Sequence, residues 1–193
     1  MYRPFANHEL RNLLQVHVEI PAMRRFLSIG PHRRILEIGC GRGVALPVLA
    51  RLCAPRRLVG IDVAPDLIAL ARQRMRRHGV VAELYVADAR QLPFHDGEFD
   101  VVIDFGTCYH IDNPDLALRE ISRVLCDDGV FIHESPLAQL IAHPFRTAFR
   151  ARSWDASVTP PTERHALLWV ARRKTRQRLP DSVEERPHVQ TAP

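Results

Sequence analysis

Glu37 stands two residues before the first glycine of the run Gly39-Cys40-Gly41-Arg42-Gly43, near the end of the apolar stretch Ile35-Leu36-Glu37-Ile38. An acid there is costly to bury unless something beyond the stretch uses its charge. Glycines between a strand and a helix let backbone come close to a ligand. Three further acids follow in order: Asp62 after Arg57–Ile61, Asp88 in Ala87-Asp88-Ala89, and Asp104 closing Phe99-Asp100-Val101-Val102-Ile103. A single Asp at a strand end is most simply a turn former or helix cap. Four acids, each at or just before the end of an expected strand, are harder to assign to turns alone.

The spacing argues against a bound pyrophosphate. The dinucleotide fingerprint would place its third glycine where Val44 stands, and Glu37 would repel the phosphates. A ligand with a positive charge and no phosphate suits Glu37 better, and S-adenosylmethionine carries both an ammonium and a sulfonium. Asp62 then falls where a carboxylate can accept from ribose hydroxyls, a role shared with nicotinamide-binding proteins. Asp88 can accept from an adenine amino group, and the Ala89 amide can donate to the ring. Candidates for a general base are Tyr109 and His110, just past Asp104, with His133 and Glu134 further on. Cys108 has nothing to orient it as a nucleophile and reads as a buried thiol.

The elements that must position these groups follow from hydrophobic period and punctuation. Residues 8–27 read as a helix with an apolar stripe of Leu10, Leu13, Leu14, His17, Val18 and Met23, kinked or restarted at Pro21. It is expected to pack across the sheet or over the ligand. Strands are expected at Arg34–Ile38, Arg57–Ile61, Ala82–Val86, Phe99–Asp104 and Val130–His133. Helices are expected at Gly43–Leu52, at Pro65–His78 with Gly79 beyond its last turn, and at Pro114–Leu125 behind Asn113 as cap. The stripe of the second is Leu67, Ile68, Ala71 and Met75; that of the third is Leu118, Ile121, Val124 and Leu125. A further helix, Leu137–Phe149, and two strands, Arg150–Val158 and His165–Arg172, are expected before a polar, proline-containing tail at 175–193. Alternating strands and helices imply a parallel sheet with helices on both faces and a ligand beyond the strands' carboxyl ends.

With 193 residues, 46% of them hydrophobic and 25% charged, the chain is of the size and composition of one globular domain. No apolar run approaches the ~20 residues of a membrane span. The first ten residues lack a secretory apolar core, so a cytoplasmic location is expected. Cys40, Cys53, Cys108 and Cys126 are scattered, which argues against a disulfide framework or a metal site. The net charge of +5 comes from arginines spread along the chain without interleaved aromatics, the pattern of a solvated surface rather than a nucleic-acid footprint.

The stretches ILEIGCGRG, GIDVAPDLIALAR, ADARQLPFHDGEFDVVI and RVLCDDGVFIHE resemble the class I S-adenosylmethionine-dependent methyltransferases of the type 11 kind, over residues 34–134. HALLWVARRK is similar to that family's final strand. The resemblance implies a Rossmann-like, doubly wound α/β fold. Its seven-stranded sheet would run 3-2-1-4-5-7-6, with the last strand antiparallel. An N-terminal helical segment at 1–30 would precede a cofactor-binding domain at 31–174. It implies S-adenosyl-L-methionine as cofactor, contacted by Glu37, Gly39, Cys40, Gly41, Asp62, Val63, Asp88 and Ala89, with Asp104 and Phe105 toward the methionine end. No metal is implied. The partner is expected to be a small-molecule methyl acceptor, and the protein a monomer or homodimer.

Two departures matter. Ala64 stands where many relatives have a Ser or Thr cap. Asp104-Phe105-Gly106-Thr107 lacks the Asn/Asp-Pro-Pro-aromatic run of many amino-methylating relatives that act on nucleic acid or protein, which argues against such substrates. An RNA or protein methyltransferase, a non-catalytic protein that keeps the cofactor as a ligand, and a nicotinamide oxidoreductase stay as alternatives at this point. Glu37 and Val44 weigh against the last.

Overall fold

In a computed structural model, residues 12–13, 15–27, 29–134, 163–165 and 169–174 are described. The expected helix at Leu137–Phe149, the expected strand at Arg150–Val158 and the tail at 175–193 lie outside them. Among the described residues the strands are β1 (Arg34–Ile38), β2 (Arg57–Asp62), β3 (Glu83–Val86), β4 (Phe99–Asp104), β5 (Leu125–Glu134), β6 (Glu163–His165) and β7 (Trp169–Arg173). They form one sheet in the order β3-β2-β1-β4-β5-β7-β6. The first five pair in parallel, and β7 pairs antiparallel with both β5 and β6.

Alternation along the strands divides the core in two. Ile35, Leu58, Val101, Ile103 and Ile132 face one layer of helices: α1 (Ile20–Leu27), α2 (Leu46–Cys53) and α3 (Pro65–His78). Leu36, Ile38, Val59, Ile61, Val102 and Phe131 face α4 (Pro114–Val124), which buries Ala117, Leu118, Ile121 and Val124 against them. Strand order reverses between β1 and β4, so the crevice at that reversal opens beside the ends of β1, β2 and β4.

Several expectations shift for identifiable reasons. A π-helical turn at Gln15–Glu19 precedes α1, which places Pro21 at the start of a new helix, where its missing amide costs little. The restart rotates the stripe: Ile20 and Met23 are buried, whereas Leu13, His17 and Val18 are exposed. His17 is therefore not on the apolar face. Helix α2 starts at Leu46 rather than Gly43, because the preceding residues are spent in the glycine turn. Strand β5 starts at Leu125, five residues before the expected Val130, and takes the Asp127-Asp128-Gly129 turn into itself as an irregularity, with Asp128 at φ 64°. Asn113 precedes α4 but makes no side-chain cap hydrogen bond; its backbone is left-handed at φ 57°. The expected strand His165–Arg172 is instead the end of β6 and most of β7, paired with each other.

At the amino ends of the strands, remote from the crevice, Arg34 locks β1 to β4. Its backbone amide and guanidinium donate to Asp100 at 2.7 to 3.2 Å, and the Asp100 carboxyl is held down to about 2, these hydrogen bonds outweighing burial. Arg57 does the same for β2, donating to Glu83 at 2.8 Å and also pairing with Glu98. Such hydrogen-bonded pairs fix register more than they add net stability.

Candidate cofactor site

The glycine turn is held by a carboxylate from the next strand. Asp62 Oδ2 accepts the Gly41 amide at 2.9 Å, and Oδ1 accepts the Ala64 amide at 2.9 Å. The second bond satisfies the amide of Ala64 itself, the residue that precedes α3 and has no side chain to cap it. Gly41 sits at φ 52° with open space where a side chain would project. Gly39 is at φ 64°, and a Cβ there would lie 1.8 Å from Thr107 Oγ1. Thr107 thus closes over the turn, and its hydroxyl donates to the Ile38 carbonyl at 3.2 Å.

Glu37, two residues after Ile35, shares its α1–α3 face and is flanked by Gly60 on β2 and Ile103 on β4. It is 3% exposed, and its Oε2 has no hydrogen-bond partner among the described residues. Burial, then the nearby Asp104 and Asp62, push its carboxyl up to about 8. A buried acid in this state stores unfavourable free energy that a cation can release.

Asp104 is also buried, but it is committed to its own loop. It accepts the Thr107 amide at 2.6 Å and the Cys108 amide at 3.1 Å, which builds the 3-10 turn Thr107–His110. Burial raises its carboxyl and the amides pull the other way. Burial and the neighbouring Asp104 drive the Cys108 thiol well up, so it is an inert core thiol.

A cavity of about 260 Å³ opens beyond the ends of β1, β2 and β3. Gly39, Asp62, Val63, Asp88, Ala89 and His110 line it, together with Ile61, Ala87, Arg90, Thr107, Ile111 and Asp112. Six of the residues singled out in the sequence are thereby brought to one surface. Val63 is 65% exposed, an apolar side chain left open beside Asp62. Asp88 carries a partner that the sequence reading did not assign. Arg90 donates to both carboxylate oxygens, with its Nη2 2.6 Å from Oδ2, and this holds the carboxyl below its usual range. The pair is about two-fifths exposed, so an amino group can displace Arg90 at small cost.

The other residues stand elsewhere. Cys40 is buried over Gly60, its Sγ 3.0 Å from where a Cβ at Gly60 would sit, and burial raises its thiol. Phe105 packs against the α1–α3 core. Glu37, Gly41, Asp104 and Tyr109 are not among the lining residues. The structure separates Tyr109 from His110: the Tyr109 hydroxyl donates to the Glu134 carbonyl at 2.8 Å, tying the 3-10 turn to β5. His133 stacks on Phe131, and its Nδ1 lies 2.8 Å from the Glu134 carbonyl. Thr107, Ile111 and Asp112 were missed by sequence reasoning. Thr107 had a signal, being a hydroxyl three residues past an acid that ends a strand.

A doubly wound sheet with a glycine turn after β1, an acid closing β2 and a cavity at the strand ends is the layout of an α/β protein with a Rossmann-like ligand-binding fold. The family described as "Methyltransferase domain" matches residues 36–133, just over half of the chain, and the chain belongs to that family. It is 36% identical over 102 residues to a fatty-acid O-methyltransferase of Mycolicibacterium smegmatis, spanning 52% of this chain and 36% of the relative. It is 34% identical over 124 residues to a demethylmenaquinone methyltransferase of Thermus thermophilus, spanning 62% and 56%. The chain thus spans about a third to just over half the length of these two relatives. A SAM-dependent methyltransferase from Aquifex aeolicus superposes with a TM-score of 0.66 over 90% of this chain and 98% of that one, at 14% identity, which is a likeness of fold.

The family implies S-adenosyl-L-methionine as cofactor, and the residues present fit it. The unpartnered Glu37 Oε2 suits a cationic group, the open space at Gly41 suits close backbone approach, and Asp62 retains acceptor capacity beside the exposed Val63. Among the described residues no group of His, Cys, Asp and Glu could hold a metal ion, and no helix is long and apolar enough to cross a membrane.

Proposed function

We propose that this protein transfers a methyl group from S-adenosyl-L-methionine to a small-molecule acceptor. The observation that carries this reading is Glu37: a buried carboxyl group with an unpartnered oxygen beside a glycine turn is explained by a cationic ligand that would draw out its charge. When bound, the cofactor supplies a methyl carbon already activated by its sulfonium.

The chain's own contribution is placement. Asp62 is a fixed ribose acceptor because two backbone amides orient its carboxylate. Asp88 and the Ala89 amide receive the adenine, with Arg90 giving way. Val63 and Ile111 supply apolar cover, and Thr107 keeps the glycine turn in shape. Methyl transfer then needs a nucleophile held in line and water kept out. His110 lies on the cavity wall and is the group placed to take an acceptor proton on its imidazole. Tyr109, tied to β5 by its hydroxyl, positions the turn that carries His110.

The names of two similar proteins, which act on a fatty acid and on demethylmenaquinone, support a small apolar acceptor. The turn Asp104-Phe105-Gly106-Thr107 speaks against nucleic acid. We take residues 31–174 as the cofactor-binding domain, 1–30 as a helical segment beside it, the protein as cytoplasmic, and the assembly as a monomer or homodimer. The test is calorimetric titration with S-adenosyl-L-methionine, followed by radiolabelled transfer to a panel of fatty-acid and quinol acceptors. Absence of binding at millimolar cofactor overturns the reading; binding without product on any acceptor favours a ligand-keeping, non-catalytic protein.

A further inference from the structure

The outer surface of α3 carries a cleft that the cofactor site does not use. Leu70, Gln73, Arg74 and Arg77 recur at the spacing of one helix face, and with His78 and Arg42 they line a cavity of about 220 Å³. None of the six is acidic. Four other arginines of the fold have carboxylate partners: Arg34 with Asp100, Arg57 with Glu83 and Glu98, Arg90 with Asp88, and Arg123 with Glu120 and Asp96. Among the described residues no carboxylate pairs with Arg42, Arg74, Arg77 or His78.

Cations in the last turn of a helix answer its dipole, and that accounts for Arg77 and His78. It does not account for Arg42, which comes from the glycine turn, or for Arg74, a turn earlier. Arg74 is also partly ordered for binding. It is half-buried, and its Nε donates to the Arg42 carbonyl at 3.1 Å, leaving its terminal nitrogens with no acceptor among the described residues. Three guanidiniums gathered without a counter-charge repel one another, and an anion with several oxygens removes that repulsion. Guanidinium forks match a phosphate group in both charge and geometry.

We propose that this cleft, formed by Arg42, Arg74 and Arg77 with His78, is a binding site for a phosphate group. The group can belong to a free phosphate compound or to the headgroup of an anionic lipid, and the two sources are separable.

Inorganic phosphate is titrated calorimetrically into the full chain without S-adenosyl-L-methionine, at ionic strength held constant with chloride. The expected result is saturable binding near ~1 mM, weakened about tenfold or more in Arg74→Gln/Arg77→Gln. In parallel, sedimentation with phosphatidylcholine vesicles with and without phosphatidylglycerol is measured for both proteins. Variant-sensitive binding to phosphate alone or to both probes supports the site with a free phosphate ligand; variant-sensitive binding to the anionic vesicles alone supports it with a lipid headgroup. Binding of neither probe, or binding unchanged in the variant, overturns the proposal. Arg77→Gln alone, which leaves the Arg74–Arg42 bond in place, keeps the test decisive if the double variant folds poorly. Because cofactor is absent throughout, the result is read independently of the methyltransferase reading.

Discussion

The Asp62 carboxylate and the Gly41 amide meet at 2.9 Å across 21 residues of sequence, so the acid expected to read ribose is also the clamp that shapes the glycine turn. Binding and folding are thus joined at one side chain. Asp62→Ala should weaken S-adenosyl-L-methionine binding by about tenfold or more and also lower cofactor-free stability by ~1–3 kcal/mol, because two amides lose a charged acceptor. Calorimetric titration and chemical denaturation check the two effects. Loss of binding with unchanged stability would show that the clamp is energetically idle.

The two glycines of the turn separate fold from function. A side chain at Gly39 runs into Thr107, while one at Gly41 meets open space. Gly39→Ala should cost ~2–4 kcal/mol, and Thr107→Gly in the same chain should recover part of it, leaving the strain of a positive φ. Gly41→Ala should cost only ~1 kcal/mol in stability yet weaken the cofactor sharply if, as proposed, the cofactor passes through the open space at this turn. Denaturation midpoints and cofactor titrations of the variants measure both.

Glu37 makes the protein's stability depend on pH in an unusual direction. Its folded carboxyl is raised to about 8 from an ordinary 4.5, so between those limits the folded state holds a proton that the unfolded state has lost. Stability from this group is complete at acid pH and falls, by up to ~1.4 kcal/mol per pH unit, as pH rises through that window, levelling off above it. Glu37→Gln should flatten this dependence between pH 5 and 8 while weakening cofactor binding. In the wild type, binding a cation beside Glu37 should expel up to about one proton near pH 7, visible as buffer-dependent binding heats. A wild-type profile matching that of Glu37→Gln would refute the account.

His110 and Tyr109 should behave differently. His110→Ala is expected to lower kcat about tenfold or more with cofactor affinity changed less than ~3-fold, the signature of a lost proton acceptor. Tyr109→Phe removes the bond to the Glu134 carbonyl and should cost ~1 kcal/mol of stability with a small change in kcat. Stopped-time assays and thermal unfolding distinguish the two, and equal losses of kcat would return Tyr109 to the reacting centre.

Where a signal is local, the sequence read correctly. Pro65 and Gly79 bracket α3, and the stripe Leu118, Ile121, Val124 and Leu125 is buried in full. The acids at 62, 88 and 104 do end their strands or follow them. These features depend on periods of two and 3.6 residues and on glycine and proline backbone preferences, which a single stretch carries by itself. Tertiary structure decided the rest. The register of β1 against β2 and β4 put Glu37 between Gly60 and Ile103 and stripped it of water. Asp104 turned inward to build a 3-10 turn, and that turn sent Tyr109 and His110 to different neighbours. Arg42 met the side chains of α3. The Asp88–Arg90 pair, two residues apart, is the exception: it is local and was passed over in the sequence. For the others the physical reason is the same. A side chain's burial and its long-range neighbours depend on which distant backbone is packed beside it, and no local pattern encodes that.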